Sequence, residues 1–561
     1  MVCGRRLFGM STLTCYNARV NFKTMLYPLL VVLLAVFAVA PLEYPGAFQS
    51  HTGLLAYYNL IDLDQNPAQF FAWSPVVGSP FDLFRTDGAL PYLIAEIFHL
   101  IGFSYLDAIR LVYALAWVAS GLTLYAFARR FFSENGALLA ATVYVYLPYH
   151  IATIYVRGAF AESVTWSLFP LALLALLRPP TADRRLQVMV VSLLLFTCLF
   201  LLQPGLTILF ALAALGVTAA MQWRASAPAR WLIDSCAAVV AGLAVGALLD
   251  LPTIWRHGAN IARDGFHANF VLPFQMFSAV WGFSPSTGSY LDQFPFQLGV
   301  VPVGLAIVAV ALMWGRGDQP VVPPKRVVAV FLGAAIVFAL LTFEIAAPLW
   351  KVLGAFVEYP WQLLAFVGLA LAIGAGAAIE FDARLARPAM LAFFVALPVV
   401  ASYGYLAPRF LDVNPTRPQI AIFGDNEIAL LDYRIVGPLR HGATVRLQLT
   451  WQALRPVNHD YTVFVHAVHE NGGYYAQDDS KPQDNGLPTI KWKPGQVISD
   501  THTIQIDVDG PREGYHFEFG LYVAATGKRA FTNTGVDYVS VPRPGDPDPI
   551  ISEQLLPQQK R

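Results

Sequence analysis

The residues best placed to do chemistry in this chain sit in one short stretch, Tyr155-Val-Arg-Gly-Ala-Phe-Ala-Glu162, which sets an arginine and a carboxylate at the end of an apolar run. Arg157 and Glu162 are five apart, a spacing that puts them on different faces of a continuous helix. Gly158 between them can break the helix and let both side chains turn inward. The other reading has Arg157 snorkelling to interfacial water and Glu162 complementing the positive end of the next helix. Charges within a membrane are functional by default, those at its boundary less so. Asp62-Leu-Asp64 matches a metal-binding D-x-D pattern, but two carboxylates alone do not complete a magnesium shell, and an acidic stretch facing water is the simpler reading. His466 and His469 are three apart, so in a strand they point to opposite faces and make no metal pair. Asp478-Asp479 follows a hairpin turn and reads as solvated loop. Trp451 and Trp492 could stack on sugar rings, with core packing the simpler role. No glycine-rich phosphate loop, Ser/His/Asp set or zinc spacing stands out, and no metal ligand is assigned.

The elements that must carry these residues are apolar runs. The chain is 56% hydrophobic and 13% charged over 561 residues, with a mean hydropathy of +0.52. A soluble protein of this length could not cover so much apolar surface. With ~20 apolar residues needed per membrane span, eleven spans are expected near 25–42, 107–127, 136–153, 161–177, 186–202, 205–222, 232–250, 297–314, 327–346, 360–380 and 388–405. Basic residues crowd every second gap, 16 on one side against 6 on the other. Cytoplasmic loops retain Lys and Arg, so the N-terminus reads as cytoplasmic and everything after Tyr405 as extracytoplasmic. The first span is longer than a signal-peptide core, lacks a convincing cleavage site and reads as a retained anchor. Cys3 and Cys15 precede that span and Cys198 and Cys236 lie within others, which leaves the outer face without a disulfide framework. The zero net charge gives no sign of a nucleic-acid partner.

Two long outer loops, 43–106 and 251–296, are candidates to hold a site. The first contains Glu43, Asp62, Asp64, Asp82, Arg85 and Asp87, and its segment 90–102 reads as an amphipathic helix lying in the interface. The second carries Arg256, His257, Arg263, Asp264 and His267. From about Gln419 to Pro542 the period changes to two: Val445, Leu447, Leu449 and Trp451 alternate with polar residues, as do Tyr515, Phe517, Phe519 and Leu521. Turn signals at Asn471-Gly-Gly, Lys493-Pro-Gly and Asp509-Gly-Pro separate the runs, so an antiparallel β-sandwich is expected. The expected organisation is a cytoplasmic segment 1–24, a transmembrane domain 25–405, a linker 406–418, the sandwich 419–542 and a disordered tail 543–561.

Three motifs add a resemblance. Trp73-Ser-Pro-Val-Val-Gly-Ser-Pro-Phe81, Leu147 to Glu162 with its Tyr-x-Arg-Gly-Ala-x-x-Glu core, and Val357-Glu-Tyr-Pro-Trp-Gln-Leu-Leu364 resemble bacterial polytopic proteins of the 6-pyruvoyl-tetrahydropterin-synthase-related membrane family. That family is similar to a branch of the GT-C superfamily of glycosyltransferases, which act on lipid-linked sugars. No pterin chemistry is inferred. The tail resembles, through Trp451-Gln-Ala-Leu, Asp460 to His466 and Trp492 to Asp500, a β-sandwich appended to such proteins. The chain departs from the family twice: Ser50-His51-Thr52-Gly53 lacks the aspartate found there, and Gln362 stands where arginine follows Pro-Trp.

The resemblance implies an α-helical polytopic membrane protein of GT-C type in a bacterial plasma membrane. It would transfer a sugar from a polyprenyl-phosphate donor to an envelope glycan, lipid or protein acceptor at the outer face. Asp62 or Asp82, with Glu43 in reserve, is then the expected base; Arg157, Arg256 and His257 surround the phosphate, Glu162 orients Arg157, and Tyr155 and Trp361 line the substrate. A divalent metal is compatible with this chemistry but nothing requires one. As a partly exposed boundary residue, Arg157 is expected to matter for transfer and little for folding. The alternative is a non-catalytic envelope-assembly or polysaccharide-binding membrane protein that keeps the fold. A transporter ranks last, because the spans carry almost no ionisable residue at mid-depth.

Overall fold

The computed structural model describes residues 22–44, 48–52, 54–67, 72, 73, 81, 82, 84, 87–177, 184–222, 229–261, 269–283, 286–315, 323–410, 419–532 and 536–542. The expected disordered tail, most of the linker, and Arg85, Arg263, Asp264 and His267 lie outside the described residues.

Fifteen α-helices are described: α1 Phe22–Val39, α2 Leu55–Gln65, α3 Leu90–Leu100, α4 Tyr105–Ala128, α5 Glu134–Val145, α6 Pro148–Tyr155, α7 Phe160–Leu176, α8 Arg185–Leu202, α9 Pro204–Gln222, α10 Ala229–His257, α11 Val300–Trp314, α12 Pro323–Leu341, α13 Ala347–Leu353, α14 Leu364–Phe381 and α15 Pro388–Ser402. Each of the eleven apolar runs is helical, but they are not eleven equal spans. Among the described residues eight helices are long and apolar enough to cross a membrane, and α5 with α6, bent by 42°, would make a ninth. The break falls at Leu147, whose ψ of 125° is extended: Pro148 has no N–H to give and disfavours a helical conformation in the residue before it. α7 and α11, with 17 and 15 residues, fall short of a straight span. Gly158 and Gly299, both at positive φ, interrupt the chain just before them.

α14 is the central post, with 94% of its span buried, and it packs against α5, α11 and α12. Its approach to α5 needs glycine: a Cβ on Gly376 would lie 2.5 Å from the carbonyl oxygen of Gly136. The outward faces are apolar instead of polar, with Leu33, Phe37, Leu194, Val240, Leu248, Ile307, Ile336, Phe393 and Val400 exposed. Water would not tolerate that surface and hydrocarbon would.

The first long loop folds into α2, the two-residue strand β1 Phe81–Asp82 and α3; the second contains β2 Ala259–Asn260, which pairs in parallel with β1 and ties the two loops together. α3 buries Tyr92, Ala95 and Glu96 and leaves Ile97 and Leu100 exposed, an apolar outer face that suits a membrane interface.

The C-terminal region is all β. Strands β3 Ala421–Phe423, β4 Ile428–Val436, β5 Thr444–Ala453 and β8 Val497–Gln505 form one antiparallel sheet; β6 Tyr461–His469, β7 Tyr474–Ser480, β9 Tyr515–Val523, β10 Lys528–Arg529 and β11 Val539–Val541 form the other. Alternate residues of β5 and β8 point inward, and Trp451 and Trp492 are buried in the shared core, which leaves neither face free to stack on sugar. Asp478 and Asp479 lie within β7, not in a loop: Asp478 is drawn in by the buried His502 of β8, at 2.8 Å. The chain beyond α15 returns to the first loop, where the Gln49 N–H donates to the Arg409 carbonyl at 2.6 Å, and Arg409 itself pairs with Asp425 at 2.9 Å.

Candidate functional site

α6 closes tightly, the N–H groups of Arg157 and Ala159 returning to the carbonyls of Ala152 and Thr153 at 2.8 and 3.0 Å. Gly158, at φ +64°, then turns the chain into α7. The turn sends both charged side chains inward, not to interfacial water. Arg157 Nη2 donates to Glu162 Oε2 at 2.6 Å, and Nη1 to the Tyr149 hydroxyl at 3.3 Å. The guanidinium lies 4.6 Å from the centre of the Trp361 ring, a cation–π geometry. Trp361 is held by Tyr359, stacked at 4.9 Å, and by Phe294 at 4.7 Å. Glu162 is fully buried and Arg157 is 8% exposed. Glu162 Oε1 and Trp361 Nε1 are buried with no hydrogen-bond partner among the described residues, and among those residues Arg157 spends two of its five N–H donors on side chains.

The segment Ser50–Thr52 covers this turn. His51 N–H donates to the Val156 carbonyl at 2.9 Å and Thr52 N–H to that of Arg157 at 3.3 Å, while the Thr52 and Tyr113 hydroxyls both donate to the Gly158 carbonyl. A Cβ on Gly158 would meet Ser50 Oγ at 2.3 Å and Thr52 Oγ1 at 2.7 Å, so the cover lies close because residue 158 has no side chain. Burial, with the Arg157 charge adding to it, pushes the His51 imidazole down to about 4, and the ring is neutral at neutral pH. Both family departures fall here. Thr52 is the hydroxyl against Gly158, and Gln362 accepts from the Tyr359 N–H at 3.0 Å to cap the turn that carries Trp361.

Sequence reasoning nominated other carboxylates and missed the one the fold brings near. Asp87 accepts from Gln203 Nε2 at 2.8 Å and lies within electrostatic reach of Glu162, Arg157 and Glu358. Burial chiefly, with the charges of Glu162 and Glu358, lifts its pKa to about 6 against the opposing pull of Gln203 and Arg157. A carboxylate with such a value is suited to take up a proton near neutral pH. Nothing in its spacing marked Asp87, because Gln203 is 116 residues away.

Asp62 has both oxygens engaged, by Trp73 Nε1 at 2.7 Å and Asn66 Nδ2 at 3.0 Å. Asp64 instead takes the Tyr105 hydroxyl at 2.6 Å. Two residues apart on α2, the carboxylates of the D-x-D pattern thus serve different partners, as helix geometry dictates. Glu43 is exposed just beyond α1, and Arg256 is exposed on α10. Tyr155 is buried with its hydroxyl on the Ala38 carbonyl at 2.6 Å. None of these five has a described contact with Arg157, Glu162 or Trp361. The side chains of Asp82 and His257 lie outside the described part of the molecule. Among the described residues no group of three His, Cys, Asp or Glu side chains is placed to hold a metal ion.

No protein-family model matches the sequence, and no curated protein matches it significantly. Among solved structures, the fold is similar to that of ArnT from Cupriavidus metallidurans bound to undecaprenyl phosphate, at 13% identity over 68% of this chain and a TM-score of 0.40. It is also similar to that of the arabinosyltransferase EmbB from Mycobacterium smegmatis, at 9% identity over 93% of this chain and a TM-score of 0.36. The chain spans 64% and 66% of the lengths of those two proteins, less than two-thirds of either.

Proposed function

We propose that this chain is a GT-C-like glycosyltransferase of a bacterial plasma membrane that moves a sugar from a polyprenyl-phosphate donor to an envelope acceptor. The observation that carries the reading is the buried Arg157. It is held by Glu162 and Trp361, has N–H donors to spare among the described residues, and lies within electrostatic reach of an Asp87 whose pKa is lifted to about 6. In the proposed step the acceptor hydroxyl gives its proton to the Asp87 carboxylate as its oxygen bonds to the anomeric carbon. The bond from that carbon to the phosphate oxygen breaks with inversion, and the polyprenyl phosphate leaves with the electron pair. Arg157 faces the charge that develops on the phosphate, Glu162 fixes the guanidinium plane, and Trp361 shields it from water. No step calls for a metal. The membrane orientation that accompanies this reading has the N-terminus in the cytoplasm and the sandwich outside, with the domain limits expected from the sequence.

Transfer from a polyprenyl-phosphate sugar in proteoliposomes tests the reading. Wild type should transfer and Asp87→Asn should not; an unimpaired Asp87→Asn would remove the base from this scheme. A second reading, a non-catalytic protein that binds an envelope polymer, is favoured by the structural use of Thr52 and Gln362, and it requires that no lipid-linked donor be consumed.

A further inference from the structure

We propose that the cleft between the membrane domain and the β-sandwich binds an uncharged glycan and presents its end to the Arg157 site. The cleft encloses about 730 Å³, within the ~300–1,000 Å³ typical of ligand sites. One wall is the second long loop, with Trp281, Phe283 and Gln293; the other is the sandwich, with Asn426, Tyr461 and Phe531; Ser50 and His51 form the floor.

Three features select the ligand. The first is aromatic surface: Trp281 is held flat by stacking on Tyr405 at 4.2 Å, and Phe531 is left 54% exposed. The apolar faces of sugar rings pack on such surfaces, and a soluble loop has no reason of its own to expose a phenylalanine there. The second is charge. Asp292, Asp425 and Glu427 are balanced by Arg409, Lys528 and Arg529 along the lining, and the carboxylates are already committed. Asp292 caps its own turn through the Thr287 and Phe294 N–H groups, both at 2.8 Å; Glu427 is buried and accepts from Asn458 and Tyr461; Asp425 pairs with Arg409. A polyanion finds no net positive field here, while hydroxyl groups find the amides of Gln293 and Asn426. The third is rigidity. Arg409 lies over the Phe283 ring at 4.5 Å while pairing with Asp425, so one residue clamps both walls and little order is lost on binding.

The position of the floor gives the cleft its direction. The His51 N–H is bonded to the Val156 carbonyl, so the bottom of the cleft is also the cover of the Arg157 turn. The acceptor role rests on the proposed transferase activity; glycan binding does not.

Binding of neutral hexasaccharides (cellohexaose, mannohexaose and arabinohexaose), with hexagalacturonate as the charged control, can be followed by tryptophan fluorescence of the full-length protein in detergent. At least one neutral hexasaccharide should give saturable binding, and Phe531→Ser should weaken it by about tenfold, the effect of losing an aromatic anchor. Phe531 is exposed, so that variant should melt with wild type; Trp281→Leu, with its melt recorded alongside, should weaken binding similarly. Failure of all three neutral sugars to bind, tighter binding of hexagalacturonate, or indifference to both substitutions would overturn the proposal. Binding without transfer would keep the cleft and remove the enzyme, whereas transfer untouched by Phe531→Ser would remove the cleft from the acceptor path.

Discussion

Removing the Arg157 charge alone should destabilise the fold and removing it together with that of Glu162 should not, while both should have the same effect on transfer. The sequence suggested a partly exposed arginine whose loss folding would not feel. The structure corrects this, because the side chain is 9% exposed and its partner carboxylate 0%. Arg157→Gln leaves a buried carboxylate without its cation, and Glu162→Gln leaves a buried cation without its anion. Breaking a buried pair from one side costs about 3–5 kcal/mol. The double variant Arg157→Gln/Glu162→Gln removes both desolvated charges and puts two amides where the ion pair was. Replacing a buried pair with neutral groups of similar volume is often close to neutral, so its melt should lie near that of wild type, well above either single variant. Transfer should behave otherwise: with no cation facing the leaving phosphate, Arg157→Gln and the double variant alike should fall by ~10²–10³. Thermal unfolding followed by intrinsic fluorescence in detergent, beside transfer in proteoliposomes, reads both quantities on the same preparations. A double variant as unstable as the two singles combined would show that the pair does not act as a unit. A double variant that folds and transfers normally would reduce Arg157 and Glu162 to scaffolding and refute the phosphate assignment.

Other perturbations separate the remaining elements. Because a base must be unprotonated, transfer should rise as pH increases through about 6, the value to which burial lifts Asp87, and Gln203→Leu should move that midpoint upward by removing a hydrogen bond to the charged form; a profile without a limb there would refute the assignment. Gly158→Ala should lower the melting temperature, since φ +64° costs a side chain about 1–2 kcal/mol before the clash with Ser50 is counted; an unchanged melt would contradict the close cover. A soluble fragment 419–542 should melt cooperatively, because the core built on Trp451, Phe517 and Leu521 is its own. Its stability should peak between about pH 4 and 6.5. Burial depresses the His502 pKa, but Asp500 and Asp478 outweigh it and raise the value above 6.5, so that contribution is lost as pH climbs; burial raises Asp500, but His502 and the Gln483 and Thr501 N–H groups hold it below 3.8, so that contribution is lost only in acid. His502→Gln should flatten the alkaline limb, and an unaltered limb would refute the cause. Reporter fusions after Arg316 and after Arg409 should give cytoplasmic and exported signals respectively, and the same signal from both would refute the orientation.

What could be read in the sequence was whatever depends on near neighbours. Apolar runs marked where the long helices lie, since hydrocarbon demands them, but not that the runs of α7 and α11 fall short of a straight span or that α5 and α6 are bent apart. Alternation along β5, β8 and β9 marked the sandwich, since a two-faced strand demands that. The Arg157–Glu162 pair was visible for the same reason, because the glycine that lets both turn inward stands between them. Polar roles set from far along the chain were not visible. Asp478 looked solvated until His502, on another strand, engaged it at 2.8 Å. Asp62, Asp82 and Asp87 looked alike as acidic residues of one loop, although a carboxylate's use depends on its solvent and its partners. Asp62 meets Trp73 and Asn66 close by and is spent. Asp87 meets Gln203 across the fold and is carried, partly buried, within electrostatic reach of three other charges. A donor such as Gln203, which among the described residues engages one Asp87 oxygen only, fixes orientation without removing basicity, and for that reason the less conspicuous aspartate is the better candidate to accept a proton.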